Sequence, residues 1–419
     1  MSDLNRTPTA NRLHIGIFGV RNAGKSSLIN AITNQKTAIV SEYAGTTTDP
    51  VYKAMELLPI GPVVIIDTAG IDDSGELGDL RVDKSYEVIK KTDLALLVIT
   101  AAGGIGGYDE QMIRRLKENG TEFIIVVNKI DEAAPDVELI RHLNDGGFKY
   151  ALVSAEKRDG IAELKELIIK HSPKNFEQPS IIGDLIKPGD TVVLVIPIDT
   201  GMPKGRLILP QVQTMRDILD SDAMAYVVKE RELRWALANL KQKPKMVVTD
   251  SQAFMKVSAD TPPDILLTSF SILFARYKGD LMKLVKGAKA LKKLKAGDRV
   301  LVSEACTHHQ QPDDIGRVKI PRWIRQHIDE KVEFDFCSGR DYPENVTDYK
   351  LVIHCAGCVL NRKEMLDRIE AAEIKGVPII NYGVTIACVH GVLDRALKPF
   401  GEVYRSEERR VGKECRSRW

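Results

Sequence analysis

The chain has 419 residues, 43% of them hydrophobic and 28% charged, a balance that excludes disordered, fibrous and membrane-embedded classes. At roughly 150 residues per domain, the length predicts about three domains. Lys and Arg number 60 against 58 Asp and Glu, so no strong basic bias points to nucleic acid. The first residues, Met1–Arg6, carry no apolar stretch of the secretory kind. The longest apolar run, Leu94–Ala102, is too short to span a bilayer. These features predict a cytoplasmic protein with reduced cysteines, no membrane and no nucleic-acid partner.

Residues 405–419 are charged and aperiodic, unlike what precedes them. One back-translation of them reads as a sequencing adapter, so they are expected to be an artefact outside the fold. Removing their six Lys/Arg and three Asp/Glu leaves 54 against 55, a net charge of −1. Finding these codons in the natural gene would refute that reading.

An apolar strand at Leu13–Phe18 leads into Gly19-Val20-Arg21-Asn22-Ala23-Gly24-Lys25-Ser26-Ser27, followed by a helical run. This is a phosphate-binding loop in its required strand–helix context. Backbone amides of Gly19, Asn22, Ala23, Gly24 and Ser27 can wrap phosphates, Lys25 reaches the outer ones, and Ser26 can hold magnesium. Thr46 and Thr47, in Gly45-Thr46-Thr47-Thr48-Asp49, suit a switch loop, with Thr47 completing the magnesium shell. Val63–Ile66 ends in Asp67-Thr68-Ala69-Gly70, where Asp67 serves magnesium and Gly70 the gamma phosphate. Phe123–Val127 ends in Asn128-Lys129-Ile130-Asp131. The Asp131 carboxylate can accept two hydrogen bonds from a guanine edge, a discrimination on the order of 10⁴. Ser154-Ala155-Glu156 completes the base pocket. Lys25, Thr47 and Gly70 are the candidate catalytic groups for GTP hydrolysis with Mg²⁺. Ile71 stands where a water-orienting Gln is common, so hydrolysis is expected to be slow or assisted by an ion, by Glu76 or by a second subunit.

Residues 170–179 hold two prolines and no periodicity, a linker composition. Strands are predicted at Thr191–Ile196, Ala225–Val228, Met246–Thr249 and Ile265–Leu267, and helices at Gln211–Leu219 and Glu230–Leu240, with Trp235 and Phe254 in the core. This second α/β unit carries no cysteine and no glycine-rich phosphate loop, which favours an interface role and a homodimer. Phe270–Leu294 reads as one long helical region whose lysines, Lys278 among them, form a solvated face.

The six cysteines all lie at 306 or beyond. Arg299–Ser303 is a strand leading to Cys306-Thr307-His308. Leu351–Ile353 leads to His354-Cys355-Ala356-Gly357-Cys358, and Asn361 with Glu364 reads as a capping box opening a helix. Strand ends of a parallel sheet share one edge, so Cys306, Cys355 and Cys358 can converge. Cys337 and Cys388, the latter in a helical Val384–Leu397 segment, read as structural. Three converging thiolates leave zinc, an iron–sulfur cluster and a redox dithiol open. His308 and His354 are candidate metal ligands or hydrogen-bonding neighbours. A three-thiolate cluster has an iron open to a foreign ligand, which a closed zinc site lacks.

The first 172 residues resemble the tRNA-modification and ribosome-assembly branch of GTPases, and the Asn at 22 then implies potassium-stimulated hydrolysis. The whole of residues 10–404 resembles the FeFe-hydrogenase maturation GTPases. The matching segments are Glu304–His309, Asp313–Trp323, His354–Arg362 and Asn381–Val384. The resemblance implies an α/β, three-domain chain: a P-loop GTPase domain over 1–172, an α/β dimerisation domain over 180–264 and a cluster-binding domain over 265–404. It implies a four-iron (4Fe-4S) cluster on Cys306, Cys355 and Cys358. It implies a carrier that takes a di-iron unit from two radical-SAM enzymes and delivers it to apo FeFe-hydrogenase. The alternative is an RNA-acting GTPase with a C-terminal zinc module.

Overall fold

Runs of Val, Ile and Leu too apolar to face water on either side form the inner strands of the first unit. A computed structural model describes residues 8–33, 50–57, 60–68, 86–172, 179–198, 207–305, 314–339, 342–343 and 345–401. The chain divides into two compact units, 1–178 and 179–419. In the first, β1 (Leu13–Phe18), β2 (Val51–Leu57), β3 (Gly61–Asp67), β4 (Leu94–Thr100), β5 (Glu122–Asn128) and β6 (Tyr150–Leu152) form one sheet ordered β2-β3-β1-β4-β5-β6. Only β2 is antiparallel, against β3. Helices Lys25–Thr33 and Ile161–His171 bury Leu28, Ile29 and Leu164 on one face. Helices Gly107–Glu118 and Val137–Asp145 bury Met112, Leu116 and Leu143 on the other. The strand order reverses beside β1, which opens a crevice at the carboxyl ends of the parallel strands.

The second unit holds two four-stranded parallel sheets. Strands β7 (Thr191–Val195), β8 (Met224–Val228), β9 (Met246–Thr249) and β10 (Leu266–Ser269) are ordered β10-β9-β7-β8. Strands β11 (Arg299–Glu304), β12 (Glu333–Ser338), β13 (Leu351–His354) and β14 (Ile379–Asn381) are ordered β12-β11-β13-β14. One continuous core runs through both sheets. Polar ties reinforce it. Arg362 donates to the carbonyls of Tyr277 (2.8 Å) and Gly279 (3.1 Å). Arg395 donates to those of Ser258 and Thr261 (both 2.6 Å). Asn381 Nδ2 donates to that of Ser271 (3.0 Å).

Several expectations are corrected here. The region 270–294 is two helices, Phe270–Lys278 and Leu281–Leu291. A Cβ on Gly279 would press on Ile369 at 2.9 Å, and Asp280 caps the second helix by accepting from the Lys283 amide (3.1 Å). Lys278 is 1% exposed and not part of a solvated face. The Val384–Leu397 segment likewise splits into Tyr382–Val389 and Leu393–Leu397, with Gly391 at φ +70° between them. Phe254 is fully buried, but Trp235 is 66% exposed. Strand β12 was not foreseen; Cys337 lies half-buried on it, whereas Cys388 is buried in its helix. The proposed artefact 405–419 falls outside the described residues, and among those no helix is long and apolar enough to cross a membrane.

Candidate functional site

The loop after β1 wraps tightly because its glycines allow it. Gly19 adopts φ +143° and a Cβ there would sit 2.3 Å from the Val98 carbonyl oxygen. Gly24 adopts φ +90°, with the Asn128 amide in the same relation at 2.3 Å. Asn22 also takes a positive φ, 59°, a cost that persists where the surroundings over-determine it. Lys25 is buried and its Nζ donates to the carbonyls of Gly19 (2.7 Å) and Val20 (2.9 Å). Its charge is thus held inside the loop, at the amino end of helix Lys25–Thr33, where a phosphate is favoured. Ser26 and Ser27 are exposed on the first turn.

At the end of β3, Asp67 accepts from the Ser26 hydroxyl (3.3 Å). Burial raises the Asp67 carboxyl above its ordinary range, while Lys25, Lys53 and Ser26 pull it back. A divalent cation between Ser26 and Asp67 would replace the proton that burial favours, so this oxygen pair fits magnesium. Thr68 is pinned by its hydroxyl to the Ile17 carbonyl (2.6 Å). Thr46, Thr47, Gly70, Ile71 and Glu76 lie outside the described residues.

The base side is organised by Asn128, 1% exposed at the end of β5. Its Nδ2 donates to the Ala23 carbonyl (2.9 Å) and its Oδ1 accepts from the Ala155 amide (3.1 Å). One side chain therefore joins the phosphate loop to the Ser154-Ala155 loop. Lys129 stands at φ +64°. The Ser154 hydroxyl donates to Asp131 and holds its carboxyl below the ordinary range, so it is a ready acceptor. Ser154 itself is fully buried and also accepts from the Lys157 amide (3.0 Å).

In the second unit, Ser303 of β11 pairs with His354 of β13 and with Cys337 of β12. The ladder continues one residue past β13, where the Cys355 amide donates to the Ser303 carbonyl (2.9 Å). The chain then turns through Gly357 (φ +64°), and Asn361 and Glu364 cap helix Arg362–Ile374 reciprocally, as expected. Cys355 Sγ accepts from the backbone amides of Ala305 (3.1 Å) and Gly357 (3.4 Å). Amides aimed at a sulfur favour thiolate over thiol and suit a metal-bound sulfur. Ala305 immediately precedes Cys306 in the chain. Cys306 and His308 lie outside the described residues, among which no group of three or more His, Cys, Asp or Glu could hold a metal.

His354, open in the sequence between metal ligand and hydrogen-bonding neighbour, makes hydrogen-bonding contacts on both sides of its ring. It is fully buried, Nδ1 lies 2.9 Å from the Cys355 carbonyl oxygen and Nε2 lies 3.0 Å from Arg368 Nη1. Both ring nitrogens thus have protein partners, the arrangement of a hydrogen-bonding neighbour. Burial, and then the Arg368 charge, push its pKa down to about 3. Arg368 escaped sequence reasoning. Its one signal is a place two helical turns past Asn361, on the same face of the helix.

Comparison with known proteins follows the same division. Residues 14–129 match the model of the 50S ribosome-binding GTPase. The tRNA modification GTPase MnmE of Aquifex aeolicus is 36% identical over 166 residues, 39% of this chain and 35% of that protein. That of Thiobacillus denitrificans is 38% identical over 122 residues, 29% and 27% respectively. The chain thus spans about a third of the length of the curated relatives it matches. Among solved structures, Aquifex aeolicus Era is 23% identical, with 52% of this chain and 93% of that one covered and a TM-score of 0.34. Residues 181–279 match the hydrogen maturase F dimerization domain, and residues 282–399 its tetramerization domain. A GTPase domain followed by both of these domains, in this order, places the chain in the hydrogen maturase F family of hydrogenase-maturation GTPases.

Proposed function

We propose that this GTPase is a scaffold that holds a four-iron cluster on Cys306, Cys355 and Cys358 and delivers the di-iron subcluster to apo FeFe-hydrogenase. The observation that carries this reading is Cys355, whose sulfur accepts two backbone amides at the meeting of β11 and the Cys-x-x-Cys turn. The thiolate-favouring donor set fits a cluster. When bound with three protein thiolates, a cluster offers an iron open to a foreign ligand, which is what a carrier needs. The protein's own part is to hold the sulfurs, and the family supports a role in maturation. The cargo is supplied by two radical-SAM enzymes in the cytoplasm. GTP, with Mg²⁺ on Ser26, Thr47 and Asp67 and K⁺ near Asn22, times partner exchange. Lys25 and Gly70 act on the phosphates, and Thr46, Ser154 and Ala155 complete the nucleotide contacts.

Anaerobic reconstitution is expected to give a brown protein with a four-iron EPR signal. Cys306→Ala should abolish hydrogenase activation while GTP hydrolysis continues. A Cys306→Ala protein that still matures hydrogenase, or wild type that takes one zinc and no iron, would remove this reading.

The self-association surface in this proposal is the β8 edge. Among the described residues, strand β8 pairs with β7 alone, and it exposes Met224 (53%), Tyr226 (36%) and Val227 (45%), with Trp235 (66%) nearby in sequence. An open strand edge bearing apolar side chains is a template for pairing with another chain, and a second copy of this chain is the occupant that the dimerization-domain match supports. Val227→Lys is expected to weaken dimerisation at least about tenfold in sedimentation equilibrium, since it puts a cation into a desolvated edge. An unchanged dimer would exclude β8 as the interface.

A further inference from the structure

We infer that Arg368 is a positioning residue for the cysteine loop, fastening the strand ends that lead to Cys306 and Cys355; this rests on the reading that those cysteines hold a cluster. Arg368 sits on helix Arg362–Ile374 and turns back over the carboxyl ends of β12 and β13. Its Nη1 donates to His354 Nε2 (3.0 Å) and its Nη2 to the Gly339 carbonyl (3.1 Å). The guanidinium lies 4.8 Å over the Tyr342 ring.

One arm of the fork ends on His354, the residue before Cys355, and the other on Gly339, just past β12. A guanidinium only donates, so His354 must present a lone pair at Nε2 and carry its proton on Nδ1. Nδ1–H then donates to the Cys355 carbonyl (2.9 Å), which fixes the first peptide of the loop. Along the other arm, the Gly339 amide donates to the Glu304 carbonyl (2.8 Å). Glu304 is followed by Ala305, whose amide reaches Cys355 Sγ. One planar group therefore spans the end of β12, through it the end of β11, and the end of β13. An ammonium lacks the planar fork that lets one group hold both partners and stack on the Tyr342 ring. The guanidinium also sets a fixed positive charge behind the loop, which favours thiolate and stabilises an anionic cluster.

The test compares the iron-free full chain with its Arg368→Gln and Arg368→Lys variants by amide hydrogen exchange, read on peptides covering 299–305 and 351–361. Both variants lose the fork, so exchange there is expected to rise about tenfold or more. After anaerobic reconstitution, an EPR-monitored titration should find the potential of Arg368→Gln more negative than wild type, and that of Arg368→Lys close to it. This separates the charge from the geometry. Exchange within about twofold of wild type at both peptides in Arg368→Gln would overturn the inference. So would an equal rise in peptides of β9, which would mean general unfolding. A wild type that takes zinc and no iron ends the cluster reading instead, and the exchange data then decide the role of Arg368 alone.

Discussion

Asn128→Ala is expected to weaken GTP binding by at least about 100-fold, a loss of about 2.7 kcal/mol. The side chain makes two buried bonds, one to the Ala23 carbonyl in the phosphate loop and one from the Ala155 amide in the base loop. Truncation strands both backbone groups, each at about 1–3 kcal/mol where water cannot replace the lost partner. The Gly24 backbone then loses the amide it packs against, and the positive φ at Asn22 and Lys129 loses part of what holds it. Both halves of the nucleotide site relax at once, so the effect on affinity should exceed that of either bond. The stability of the first unit should fall too, by about 2–6 kcal/mol for two unsatisfied buried groups. Asn128→Asp should be worse for the phosphate loop. It keeps the acceptor for Ala155 but turns a carboxylate oxygen toward the Ala23 carbonyl. A fluorescent GTP analogue titrated into each variant, with thermal melting beside it, measures both quantities. Affinity within about threefold of wild type in Asn128→Ala would show that the two loops are held by other means.

The GTPase site was readable in the sequence because its chemistry is local. A loop that must wrap phosphates needs Gly19 and Gly24 at fixed places, and the structure finds both in left-handed backbone. Asp67, Asn128 and Ser154 each follow an apolar strand, so the shared sheet edge follows from order alone. The Asn361–Glu364 box was legible for the same reason. Other features depend on contacts that no short window contains. Gly279-Asp280 is a helix stop followed by a helix start, yet the run of lysines around it read as one continuous solvated face. Trp235 reads as core in the sequence, although one aromatic on a short helix does not say which way the helix turns. Strand β12, Glu333-Phe334-Asp335-Phe336-Cys337-Ser338, is an edge strand, and its alternating charge and aromatic pattern carries no buried run. Arg368 is the clearest case. Its partners, Gly339 and His354, come from two other elements, and only the folded sheet brings them under one guanidinium.

Lowering the pH should destabilise the iron-free second unit well before its carboxylates titrate. His354 is fully buried, and its pKa falls from an ordinary 6.5 to about 3, through burial first and the Arg368 charge second. The hydrogen bond to the Cys355 carbonyl opposes the shift without cancelling it. The folded state thus holds this imidazole neutral down to about pH 3, while the unfolded chain binds a proton from pH 6.5 downward. Between those limits the unfolded state carries more protons, so stability rises with pH and is lost as pH falls. The slope from this one group is about 1.4 kcal/mol per pH unit, or about 2 kcal/mol between pH 6.5 and 5. His390 adds to it in the same direction, because burial and then the nearby His327 also lower its pKa. Urea unfolding of the iron-free chain at pH 7.5, 6.5 and 5 measures the slope. His354→Gln should cost stability at pH 7.5, because it removes the imidazole between Arg368 and the Cys355 carbonyl, yet it should flatten most of the pH dependence. An unchanged slope in that variant would mean that His354 takes up its proton in the folded state and that Arg368 moves aside to allow it. The fork at the cysteine loop would then be a loose contact, and the strand ends leading to Cys306 and Cys355 would need another fastening.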